Sequence, residues 1–269
     1  MKIGFLITAR LKSSRLPLKV IMDLNGKTVI ERLIDRIKEI YGISEIVLCT
    51  SINPQDKPLI DIARKNEIYY FCGHEVDVLK RLSDAGHLFG FDYILGITAD
   101  NPLISIYYSN RIIDEIKKGR YDFIEVTGLP LGSATYGMNM KALETVCEIK
   151  KLVDTEIWGS LIKRPEVFSI KTLNARGKIN RPDLRFTLDY YEDYELIKKV
   201  YTDVKFKNAL NLIDVIDYLE ENPDIENINK RCTQLDIDSK IKKEIEENYS
   251  KNLQEILDIK RKIYESYGL

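Results

Sequence analysis

Five short apolar runs punctuate the first half of the chain, at 3–8, 45–51, 68–72, 93–98 and 121–126. Runs of this length, dense in Ile, Val, Leu and Tyr, predict strands buried on both faces. Between them apolar residues return every three or four positions, which predicts helices over 28–40, 58–65, 76–88 and 105–118. Strand then helix, repeated without break, predicts a Rossmann-like α/β fold, a mainly parallel sheet with helices on both faces. Ligands on such a sheet bind beyond the carboxyl ends of the strands. Chemistry is therefore expected just after Thr8, Thr50, Cys72 and Thr98.

Past Gly128 the rhythm changes. A Gly- and Pro-containing stretch, 128–137, leads to helices near 142–149 and 155–162, strands near 167–173 and 184–187, and a helix over 192–201. The body is expected to span 1–207, with an insertion at about 128–182 that lines the site. The remaining 208–269 reads as a charged, helical C-terminal extension. Its last segment, 239–267, spaces Ile241, Ile245, Tyr249, Leu253, Ile256, Ile259 and Ile263 at helical intervals. A stripe this narrow is expected to pack on the body or on a second copy in a homodimer.

Composition narrows the function. The 269 residues hold 41 Lys and Arg against 42 Asp and Glu, so no global field would draw nucleic acid or a membrane surface. An anionic ligand must be gathered by a local basic cluster. Cys49, Cys72, Cys147 and Cys232 are widely spaced, as reduced thiols of a cytoplasmic protein are. The apolar run before Arg10 is too short for a signal peptide core, and no stretch approaches a membrane span. Only His74 and His87 are present, which excludes a histidine-built zinc site. Any metal here should be hard and bound by oxygen.

The densest candidate chemistry is Thr8-Ala9-Arg10-Leu11-Lys12-Ser13-Ser14-Arg15-Leu16-Pro17-Leu18-Lys19, directly after the first strand. Arg10 and Arg15 offer guanidinium forks for paired oxygens, Lys19 a concentrated charge, and Ser13 and Ser14 neutral donors between them. A triphosphate calls for that mixture.

These residues resemble the opening motif of the cytidylyltransferases that make CMP-activated sugar acids, in particular the branch of spore-coat and surface polysaccharide synthesis. The resemblance implies a nucleotide-diphospho-sugar transferase type of sheet. It also implies a CTP site formed by Ala9, Arg10, Ser13, Ser14, Arg15, Lys19 and Thr50, with Arg10, Arg15 and Lys19 as the catalytic cations. One position departs from the family pattern: Leu18 stands where glycine is usual, and leucine would be strained there if φ is positive.

Three further blocks match in order. Gly73-His-Glu-Val-Asp77-Val-Leu-Lys-Arg81 is similar to the turn and helix start that lie beside the cytosine, which implies Gly73 and Arg81 as nucleotide contacts. Acidic residues at a helix start are also favoured by the helix dipole alone. Gly96-Ile-Thr-Ala-Asp100-Asn-Pro-Leu and Leu184-Arg-Phe-Thr-Leu-Asp189-Tyr-Tyr-Glu-Asp are similar to the two acidic blocks of the family. They imply Asp100 and Asp189 as ligands of one Mg²⁺. Asp-Asn-Pro also starts turns for local reasons, and Asp189 could instead cap the following helix. As exposed ligands, either aspartate should be removable at little cost to the fold.

Between the blocks the resemblance frays. Ala134 and Tyr136 occupy positions that are acidic in relatives, and Thr155-Glu156 replaces an acid–histidine pair. Tyr136, Asn139 and Arg185 are the candidate acceptor contacts. The expected reaction is transfer of CMP from CTP to a small anionic acceptor (a sugar acid, a sugar or alditol phosphate, or a phosphonate) in surface glycan synthesis. A glycosyltransferase that uses a sugar nucleotide, or a nucleotide-binding homologue without turnover, are the alternatives.

Overall fold

The computed structural model describes residues 1–267. The chain runs β1 (Ile3–Thr8), α1 (Val29–Lys38), β2 (Glu45–Ser51), α2 (Lys57–Lys65), β3 (Tyr69–Gly73), α3 (Val78–Phe89), β4 (Tyr93–Thr98) and α4 (Ile106–Ile116). It continues through β5 (Phe123–Thr127), β6 (Tyr136–Asn139), α5 (Met140–Ile149), the single turn α6 (Gly159–Ile162), β7 (Ile170–Asn174) and α7 (Tyr191–Asp203). Then come α8 (Leu212–Glu221), the single turn α9 (Pro223–Glu226), α10 (Ser239–Lys251) and α11 (Leu253–Ser266).

The strands form one seven-stranded sheet in the order β3-β2-β1-β4-β6-β5-β7, parallel except where β6 pairs with β4 and β5. Thr8 lies opposite both Cys49 and Thr98, and Ser51 opposite Gly73. The carboxyl ends of four strands are thereby level. The chain turns outward to β2 on one side of β1 and to β4 on the other, which opens a crevice between the segments that follow.

Alternation along the strands feeds two cores. Phe5, Ile7 and Leu95 point towards α1 and α4, meeting Leu33, Ile34 and Ile112. Leu6, Val47 and Ile94 point the other way, onto Leu79, Leu82 and Leu143 of α3 and α5. A third core gathers Phe186, Leu188, Ile197 and Val200 with Leu212, Val215 and Ile216 of α8. Local signals agree: Thr28 and Glu31 form a capping box at α1, Asp77 caps α3, and Gly90 ends α3 at φ 64°.

The departures from the sequence expectation have physical causes. β6 arises at the end of the Gly/Pro stretch, where Gly137 faces Ile112 and Ile116 too closely to carry a side chain, so its apolar pattern is weak. The strand expected at 184–187 is only a bridge from Leu131 to Arg185, held by Leu131 N to Leu184 O and Phe186 N to Leu131 O. The helix expected from residue 155 starts at Gly159, because Thr155 instead docks on the start of α3 through the Leu79 amide and Asp77. The terminal helix breaks at Asn252 into α10 and α11. Its stripe packs on the body, with Ile245, Tyr249 and Ile256 buried against the α3–α5 face. Among the described residues no helix is long and apolar enough to cross a membrane.

Candidate active site

The loop after β1 is fastened before it reaches its cations. Ala9 extends the β1–β2 ladder by donating to Cys49 O, and Leu11 N donates to Asp56 Oδ1 at 2.7 Å. Asp56 is buried and also accepts from Ser51 Oγ at 2.5 Å, so one carboxylate ties the loop to the end of β2. Sequence reading passed over Asp56, although an acid in the turn after a strand's carboxyl end was the available signal. Ser13 Oγ accepts from Leu16 N, shaping the turn, while Ser14 is exposed. Leu18 adopts φ 57°, ψ 17°, the left-handed conformation the sequence flagged. Such a backbone costs a side-chain-bearing residue about 1–2 kcal/mol. Leu18 is 50% exposed, so packing returns little of this. Strain of this kind gathers at functional sites, and here it precedes the turn that presents Lys19.

Lys19 Nζ reaches Asp100 Oδ2 at 2.5 Å and Asp189 Oδ1 at 2.9 Å. Arg15 Nη2 donates to Asp189 Oδ1 and Arg185 Nη2 to Asp189 Oδ2, both at 2.7 Å. Asp100 Oδ1 accepts from Thr98 Oγ1 and Asn101 Nδ2. Leu188 N donates to Asp100 O, locking the two acidic segments side by side. Burial alone would raise the Asp189 carboxyl, but Lys19, Arg15 and Arg185 outweigh it and hold the group below the usual range. Burial likewise disfavours the Lys19 ammonium, yet Asp100 and Asp189 raise it above an ordinary lysine.

Asp189 does not cap α7. The N-cap position is Tyr190, and Asp193, in the first turn of α7, reaches back so that its Oδ2 accepts from the amides of Asp189 and Tyr190. Arg185 corrects another expectation. Its Nε, Nη1 and Nη2 are engaged by Asp193, Gln234 and Asp189, and it is buried, so the structure shows it positioning Asp189 with no donor nitrogen left unpaired for an acceptor. Asn229 completes this support, donating to Asp193 Oδ1 and to Arg185 O. Asn139 is also corrected: it pairs with Tyr93 at the amino end of β4, the far end of the sheet from the crevice, and caps α5. Tyr136 is at the near end, opposite Gly96, where its ring fills the space a Cβ would need. It packs edge-on to Trp158, with centroids 4.8 Å apart, and against Phe123.

The second wall is the turn after β3. A side chain on Gly73 would lie 2.7 Å from Phe71 and 3.0 Å from Arg81. Arg81 is buried; its Nη1 donates to the carbonyls of His74 and Glu75. Arg10 crosses to the same Glu75 carbonyl at 2.9 Å and approaches Glu156 at 3.4 Å. Arg81 Nε and Nη2, Thr50 Oγ1 and Arg15 Nη1 are buried without a partner. Buried polar groups are normally satisfied, so these four unpaired atoms, all on segments at or after the strand mouths, are ones that a polar ligand could complete.

Among the described residues no three His, Cys, Asp or Glu side chains gather as a metal cage. Asp100 and Asp189 remain as two oxygen donors that already share one cation. That set suits a hard ion which takes its other ligands from phosphate and water, as Mg²⁺ does.

Comparison with known proteins bears on the family and the fold. A family model described as Cytidylyltransferase matches residues 5–231. The spore coat polysaccharide biosynthesis protein SpsF of Bacillus subtilis is 26% identical over 227 residues, 82% of this chain and 95% of that protein. A solved cytidylyltransferase from Leptospira borgpetersenii serovar Hardjo-bovis matches with a TM-score of 0.79 at 25% identity, covering 88% of this chain and 100% of that one. CMP:2-keto-3-deoxy-manno-octonic acid synthetase, solved with CTP, shares the fold with a TM-score of 0.61 at 15% identity, covering 75% of this chain and 99% of that one.

Proposed function

Because the chain belongs to the cytidylyltransferase family, we propose that it transfers CMP from CTP to a small anionic acceptor, releasing pyrophosphate, for surface glycan precursors. The acceptor classes are sugar acids, sugar or alditol phosphates, and phosphonates. The observation that carries this reading is the Lys19-bridged pair Asp100–Asp189 at the strand mouth, with one guanidinium nitrogen of Arg15 buried and unpaired beside it.

Asp100 and Asp189 would hold Mg²⁺, which supplies charge neutralisation on the phosphate oxygens when bound. The chain's own residues do the rest. Arg10, Arg15 and Lys19 bind the triphosphate and offset the charge that builds on departing pyrophosphate. Phe71 and Arg81 fill the space beside Gly73 and shape the β3 turn on the side where the base is read, and the unpaired buried donors of Arg81 and Thr50 remain to be completed there. Asp193 and Arg185 fix the orientation of Asp189.

The attacking oxygen of a phosphate or phosphonate is already ionised and needs no base. A sugar-acid hydroxyl needs one, and Asp189 is a weak base while three cations depress its affinity for a proton. His74 Nδ1 is occupied by the Asp77 amide and His87 contacts Tyr267, so neither imidazole serves. Pyrophosphate release, measured for CTP, UTP, ATP and GTP against a panel of the three acceptor classes, tests the reading. CTP-specific release with at least one acceptor is expected. Release with every nucleotide alike, or with none while the folded protein binds no CTP, refutes it.

A further inference from the structure

The inference rests on the nucleotidyl-transfer reading and concerns how its cation gains entry. Asp100, Asp189 and Asp193 face Lys19, Arg15 and Arg185, three carboxylates against three cations in one contact network. The side-chain charges of the network balance. Both oxygens of Asp189 carry a cationic donor, and Asp100 spends one oxygen on Lys19 and the other on Thr98 and Asn101. A divalent ion approaching this pair meets an ammonium within contact of both carboxylates.

We propose that Lys19 is a built-in surrogate cation that closes the Asp100–Asp189 pair to divalent metal until a triphosphate draws it away. Three features support this. The Lys19 ammonium is the only cation among the described residues that touches both aspartates. It sits at the end of a flexible four-carbon stem, unlike the rigid forks of Arg15 and Arg185, so it can change partners with small cost to its surroundings. A polyphosphate is a stronger lure for an ammonium than two carboxylates, one of which is already shared with Arg15 and Arg185. Metal and nucleotide then enter together, and an idle enzyme does not hold metal unproductively.

The test is equilibrium Mn²⁺ binding, read by electron paramagnetic resonance of free Mn²⁺, on the full chain without nucleotide. Wild type, Lys19→Gln, Lys19→Arg and the double variant Lys19→Gln/Asp100→Asn are compared, with circular dichroism to verify folding. Lys19→Gln is expected to take up one Mn²⁺ per chain at least about tenfold more tightly than wild type. Lys19→Arg, which keeps the charge, should remain as closed as wild type, and the double variant should lose the gained site. A merely structural effect would move Gln and Arg variants alike. If wild type binds Mn²⁺ as tightly as Lys19→Gln, or both variants gain equally, the surrogate role is wrong. Should Lys19→Gln fail to fold, tight stoichiometric Mn²⁺ uptake by nucleotide-free wild type still overturns it, and its absence beside uptake in the presence of CTP supports it. The nucleotide-free arms do not involve CTP, so their failure leaves the pyrophosphate assay standing, and an enzyme that ignores CTP is detected there independently.

Discussion

Replacing Asp189 with asparagine removes one negative charge from a site where three cations converge. Asp189 is only 4% exposed, with Arg15 and Arg185 at 2.7 Å and Lys19 at 2.9 Å. Breaking a fully buried ion pair by deleting one partner costs about 3–5 kcal/mol. The Arg15 and Lys19 side chains are 28% and 14% exposed, so water recovers part of that charge. A loss of about 2–3 kcal/mol is the discounted expectation. For a chain of this size that is roughly a 5–10 °C fall in melting temperature, at about 2–4 °C per kcal/mol. Asp100→Asn, with a more exposed side chain and a single cationic partner, should cost about 1 kcal/mol or less. Urea unfolding of both variants at neutral pH supplies the comparison. Because the native carboxyl of Asp189 is depressed, its contribution is present above the unfolded pKa of about 3.9 and is lost as pH falls through the native value. The gap between wild type and Asp189→Asn should therefore narrow in acid. An Asp189→Asn protein within about 0.5 kcal/mol of wild type at pH 7 would mean that the cluster contributes nothing to the fold.

Leu18→Gly relieves a left-handed backbone and removes a half-exposed side chain, so urea unfolding should show a gain of about 0.5–1 kcal/mol; a loss would show that the leucine packs usefully. Asp56→Ala strands the Leu11 amide and Ser51 hydroxyl, and is expected to cost about 1–3 kcal/mol and to raise the KM for CTP, since the cationic loop loses its tether. A chain ending at Gln234 uncovers the face on which Ile245, Tyr249 and Ile256 are buried, each worth about 1.5–3 kcal/mol. Light scattering should find it self-associating and urea unfolding should find it destabilised by several kcal/mol. An unchanged unfolding midpoint would show that α10 and α11 are dispensable to the body.

The fold was legible because its strongest signals are local. β1, β2 and β4 are buried on both faces and bounded by turns, and their limits coincide with the apolar runs. β6 was hidden, since a four-residue strand containing Gly137 carries no period, and its place depends on Tyr136 lying over Gly96 from a distant segment. The candidate site was legible as a set of residue types after strands, which placed Arg15, Lys19, Asp100 and Asp189 in one network. Roles within the network were not. Arg185 and Asp193 look alike in sequence to groups that meet a ligand, and only their contacts show that they hold Asp189 in place. Asn139 was misplaced because nothing in a sequence says which end of an unseen antiparallel strand it occupies. The burial of Asp189 also reverses the expectation that it is a freely removable exposed ligand.

The most direct test of nucleotidyl transfer follows the α-phosphorus. With CTP labelled at that position and an acceptor from the panel, the label should move into a CMP–acceptor product, one pyrophosphate should appear per product, and Asp100→Asn should suppress both. Label that stays in CTP or appears only as free CMP, or γ-phosphate passed to the acceptor in its place, would contradict the assignment of this crevice to cytidylyl transfer.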